Sequence, residues 1–146
     1  MGHRTVSAAT LRNLFLSGGA YYLSWWLAYP LAFAYSKATG WIIYHGNFAA
    51  AVVMPLVTSL PYALVAAMVG ACVALLVESK RRLQWAALPA ALYAYYGYVG
   101  HHWFGTPTIP SQVGPAIGAL LPAISCMVGA VVALRYWLTR SVGSSS

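Results

Sequence analysis

Four long apolar runs, separated by short polar or basic breaks, organise the chain. They extend from about Leu14 to Ser36, Phe48 to Val77, Leu83 to Phe104 and Val113 to Leu138. Each is long enough to cross a hydrocarbon core of about 30 Å, which takes about 20 mainly apolar residues. Apolar and polar positions do not alternate: Ala49–Met54 reads Ala-Ala-Ala-Val-Val-Met, without the period of two of a barrel strand. In lipid each backbone N–H and C=O must be paired within its own segment, so the runs predict helices. The expected fold class is all-α: a polytopic membrane protein of four transmembrane helices in one domain over residues 1–140. The tail 141–146 is small and polar, and we expect it to be flexible.

The breaks between runs set the expected orientation. Arg4, Arg12, Lys80, Arg81, Arg82, Arg135 and Arg140 lie at the N-terminus, the central break and the C-terminal end, whereas the other two breaks carry only Lys37. Basic residues favour the cytoplasmic side. Both termini and the 78–82 connection are therefore expected in the cytoplasm, with the 37–47 and 104–112 regions facing outward. Trp41 and Trp103 would then mark the outer interface and Trp85 and Trp137 the inner one, as aromatic belts do. The expected location is an integral membrane, in a bacterium the inner membrane.

Composition closes off the alternatives. The chain is 61% hydrophobic and 6% charged, whereas soluble domains carry roughly 25% charged residues. Disordered chains are rich in charge and poor in aromatics, which excludes disorder. The net charge of +7 fits topological charge beside an anionic leaflet better than nucleic-acid binding, because the cations flank apolar runs. Arg4 and Arg12 before an apolar run, with Ala32-Phe33-Ala34 downstream, resemble a signal peptide. The run is too long for an ordinary signal segment, so it is expected to be retained.

The sequence also matches itself. At an offset of 59 residues without gaps, Trp26, Ala28, Pro30 and Ala32 align with Trp85, Ala87, Pro89 and Ala91, and Gly46 with Gly105. Met68–Ala71 aligns with Met127–Ala130, Val73–Leu75 with Val132–Leu134, and Arg81 with Arg140. We expect two tandem helical hairpins, at about 14–82 and 83–140, in the same orientation and related by an axis along the membrane normal. This repeat places the counterpart of the third run at Ser24–His45, whereas hydropathy places the first span at Leu14–Ser36. One long tilted helix would satisfy both.

Candidate chemistry is sparse. Glu78 is the single acidic residue, so the chain has no carboxylate pair for acid–base work and no Asp/Glu cluster for a hard cation. Cys72 and Cys126 lie within apolar runs and read as small hydrophobes. His45, His101 and His102 fall on the expected outer side, with Tyr98 on the same helical stripe as His102. Imidazoles suit transition metals or haem, but interfacial histidines wetted by headgroups explain the same pattern, and we expect no cofactor. Rows of small residues, Ala66, Gly70 and Ala74 with Ser125, Gly129 and Ala133, let helix backbones approach closely in lipid. Gly70, Ala74, Gly129 and Ala133 are thus expected helix-packing positions.

These features favour a non-enzymatic membrane subunit that packs against partner membrane chains or copies of itself. An oligomeric carrier or channel for a small solute, with proline-kinked helices lining its path, is the alternative. A metal- or haem-binding membrane protein using the outer histidines is the third.

Overall fold

A computed structural model describes the backbone of residues 7–44, 48–77, 80–104 and 113–143; the side chains of 36, 38–55, 58, 100–115, 138 and 140–143 lie outside the described set. The described chain is all α-helix: α1 (Ala8–Tyr44), α2 (Phe48–Leu76), α3 (Arg82–Phe104) and α4 (Val113–Gly143). α4 runs past the expected start of the tail to Gly143; residues 144–146 lie outside the described residues.

α1 is a single helix of 37 residues that contains both Leu14–Ser36 and most of Ser24–His45. Ser7 starts it: its Oγ accepts the N–H of Thr10 at 3.2 Å, which satisfies one of the N–H groups a helix start leaves open. Pro30 lies inside and the helix continues through it. At 1.5 Å per residue α1 is about 55 Å long, well beyond a hydrocarbon core of about 30 Å.

α2 and α4 carry windows long and apolar enough to cross a membrane, Ser59–Leu76 and Ala116–Trp137. They also form the most extensive helix pair, followed by α3 on α4, while α1 rests mainly on α2 and α3. At the end where α3 begins and α4 finishes, the Arg82 guanidinium sits 4.9 Å from the Trp137 ring centre. A charge over a ring face is attracted by its quadrupole, which ties these two helix ends together.

The core is built from small side chains. Ala66, Val73 and Ala74 of α2, Val77 just after it, Ala86 of α3, and Cys126 and Ala130 of α4 are almost completely buried, joined by Tyr21 and Tyr93. Large apolar side chains point the other way: Phe15, Trp26, Leu64 and Ile124 are all more than half exposed. Small-inside, large-outside is the reverse of a soluble core. It follows when the surroundings are as apolar as leucine and close backbone approach drives association.

Candidate functional site

α2 and α4 cross with their backbones in close contact. A Cβ placed on Gly70 would overlap the carbonyl oxygen of Cys126 and lie 2.7 Å from its carbon. A Cβ placed on Gly129 would overlap the carbonyl oxygen of Ala67 and lie 2.9 Å from its Cα. Only hydrogen fits at either position, so the two backbones touch. Ala74 is fully buried beside this crossing and Ala133 is half-buried. The Cys126 thiol points toward α3, its Sγ 3.8 Å from the Ala86 carbonyl oxygen. That distance makes it a weak donor at a packed helix crossing. α3 meets α4 nearly as tightly: a Cβ on Gly97 would lie 2.8 Å from the Ala119 Cα.

A second feature was missed in the sequence. α1 buries a polar stripe. Asn13, Ser17, Tyr21, Ser24 and Ala28 follow one another at helical spacing and all are at least nine-tenths buried. Tyr93 Oη donates to Ser24 Oγ at 2.5 Å, and Ser24 Oγ donates to the Tyr21 carbonyl at 2.5 Å. The Tyr21 ring packs edge-on against Tyr93, with centroids 4.9 Å apart, and stacks on Tyr96 at 6.0 Å. Trp25 meets Tyr62 of α2 at 5.9 Å. Asn13 Oδ1 and Ser17 Oγ are buried and make no hydrogen bond among the described residues. This seam joins α1 to α3 and α2 through hydroxyls and rings rather than through a glycine crossing.

The histidine constellation can be placed only in part. His45 lies outside the described residues; His101 and His102 fall in the last turn of α3, with their side chains outside the described set. Tyr98 and Tyr95 are exposed, whereas Tyr93 on the same helix faces inward. No group of three His, Cys, Asp or Glu that could hold a metal occurs among the described residues.

Between α3 and α4 runs an open groove of about 560 Å³, lined by Ala90, Ala91, Ala94, Ala123, Ile124 and Met127 among others. Ligand sites usually add a few polar groups to an apolar wall to fix orientation, and this lining has none. Compared with known protein families, with curated proteins and with solved structures, the chain matches none.

Proposed function

We propose that the chain is a four-span membrane subunit without chemistry of its own, which works by packing its helices against other membrane chains. The observation that carries this reading is the distribution of side-chain size. Fully buried alanines and touching backbones fill the interior, while the bulky apolar side chains are displayed outward. Only 22% of the α4 window is buried. A soluble protein's core helix would be largely covered, so this exposed apolar surface calls for lipid or for partner helices.

The tandem-hairpin reading has support at the α2–α4 crossing. Gly70 meets Cys126 and Gly129 meets Ala67. The aligned counterpart of Gly70 is Gly129, and that of Ala67 is Cys126. The two contacts are therefore one contact and its reciprocal, the hallmark of a two-fold relation. With both termini cytoplasmic, the axis would lie along the membrane normal.

The carrier reading draws on a different observation, the polar stripe of α1 with its unpartnered Asn13 and Ser17 atoms. Against it, the α2–α4 interface is closed by backbone contact, so a path along that axis within one chain is obstructed. Reconstitution separates the two. Liposomes containing the chain alone are expected to keep the potassium, chloride and calcein permeability of empty liposomes. A flux that disappears in Ser17→Leu would establish the carrier instead.

A further inference from the structure

The groove between α3 and α4 has a charged end. Its α3 wall is Ala90, Ala91 and Ala94, and its α4 wall includes Ile124, Val128 and Val132. Helical spacing carries the α4 stripe on by one turn to Arg135, three residues after Val132 and seven after Val128. The α3 stripe continues toward the same end through Ala87 to Gln84, four and seven residues before Ala91. Arg135, Ala87 and Gln84 are all exposed. The contact between Arg82 and Trp137 joins α3 and α4 at this end. Gln84 and Arg135 each lie two residues further into the bundle than that contact, so they share a depth. At the opposite end the helix backbones come together at Gly97 and Ala119, which closes the groove there.

Arg135 is the single charged residue of the apolar window Ala116–Trp137. A guanidinium on the outer side of a helix within such a window extends toward the headgroup layer and toward an anion. The chain itself supplies few anions, with eight Lys and Arg against one acidic residue. The dimensions of the groove narrow the choice of occupant. From Ala123 to Val132 the lining runs about 14 Å along α4 at 1.5 Å per residue, close to half of a hydrocarbon core of about 30 Å. A further helix, about 10–12 Å across, would lie over a slot between two touching helices, whereas a hydrocarbon chain lies inside it. The lining offers no polar group along its length, and the cation stands at one end only.

We propose that this groove binds an anionic phospholipid of the cytoplasmic leaflet, one acyl chain lying between α3 and α4 and the phosphate on the Arg135 guanidinium. Arginine meets a phosphate through two parallel N–H donors, and the Gln84 amide at the same depth adds a neutral one. Basic sites between membrane helices on the cytoplasmic side suit such headgroups. The proposal rests on the four-span reading and names a lipid among the molecules the subunit packs against.

Photoactivatable phospholipids test it. The full-length chain is placed in phosphatidylcholine liposomes with a trace of phosphatidylglycerol, or of phosphatidylcholine, carrying a diazirine on the acyl chain. Mass spectrometry of peptides then locates the label. Phosphatidylglycerol is expected to label residues 90–94 and 123–132, the span of the lining, about fivefold more than phosphatidylcholine does. Arg135→Gln should bring that labelling down to the phosphatidylcholine level. Arg12→Gln, which removes an exposed cation of α1, should leave it unchanged. Ala91→Phe fills the groove from an exposed position and should lower labelling there by both lipids. Equal labelling by the two headgroups overturns the proposal, as does an equal loss in Arg12→Gln or undiminished labelling in Ala91→Phe. Native mass spectrometry of the chain extracted from its membrane should show a retained phospholipid that Ala91→Phe releases. A second polypeptide released by that change instead would put a partner helix in the groove and overturn the lipid. The two levels of failure are distinguishable. Label spread over all four helices without headgroup preference removes only the lipid site. No label on any helix from either lipid removes the membrane-spanning reading as well.

Discussion

At the scale of single residues, two glycines and one serine carry the sharpest expectations. Gly70→Leu and Gly129→Leu each force a side chain into a facing carbonyl, so the crossing must separate along its length. Overpacking costs about 1–3 kcal/mol in ordinary cores, and here the obstacle is backbone, which cannot rotate away. Thermal unfolding in detergent is expected to fall by about 5 °C or more for either variant. Gly18→Ala and Gly19→Ala make the control, since a Cβ at either position meets nothing within 4 Å. Both are expected to leave the midpoint unchanged or raise it slightly, because alanine is the better helix former by about 1 kcal/mol. Equal losses in both sets would mean that the crossing is not the reason for glycine. Ser24→Ala leaves the buried Tyr93 hydroxyl without its acceptor, whereas Tyr93→Phe leaves Ser24 still bonded to the Tyr21 carbonyl. The serine change should therefore cost more, within about 0.6–1.7 kcal/mol, and the reverse order in unfolding measurements would contradict the assigned donor. Gly70 and Gly129 were legible in the sequence, because small residues four apart have one main use in lipid. Ser17 and Ser24 were not, because a hydropathy average over α1 dilutes a stripe of isolated polar positions.

At the scale of helices, the sequence located four elements because long uninterrupted apolar runs have no other solution in lipid. It was least informative about α1. Hydropathy pointed to its first part and the repeat to its second, and the helix spans both. Nothing in Ala8–Tyr44 stops a helix: Gly18 and Gly19 lack crowding, and Pro30 removes one donor without ending the ladder. The face used by α1 was also hidden. Alignment with α3 suggests Leu27, Leu31 and Ala34, but the hydroxyl and aromatic groups at Tyr21, Ser24 and Trp25 find partners on α3 and α2 instead. Tertiary partners decide which stripe of such a helix turns inward. Shortening this seam is therefore expected to act on α1 alone. In Tyr21→Ala, limited proteolysis should cut near the α1 N-terminus sooner, while the α2–α4 pair stays protected; simultaneous loss of all four helices would show one cooperative unit.

At the scale of the molecule, the account depends on four crossings, of which α2 and α4 are apolar enough by composition alone. α1 and α3 carry the tyrosines, tryptophans and hydroxyls of the seam, so their place in the bilayer rests on packing against that pair and on the basic residues flanking the runs. Cysteine accessibility at every connection tests this most directly. In a Cys72→Ala, Cys126→Ala background, single cysteines are placed at Thr5, Asn47, Ser79, Thr108 and Ser145 and treated with a membrane-impermeant maleimide in intact cells. The expected result is labelling at Asn47 and Thr108 only, with Thr5, Ser79 and Ser145 reacting after the membrane is opened. Labelling of Ser79 from outside, or of Asn47 only from inside, would contradict a four-span protein with cytoplasmic ends.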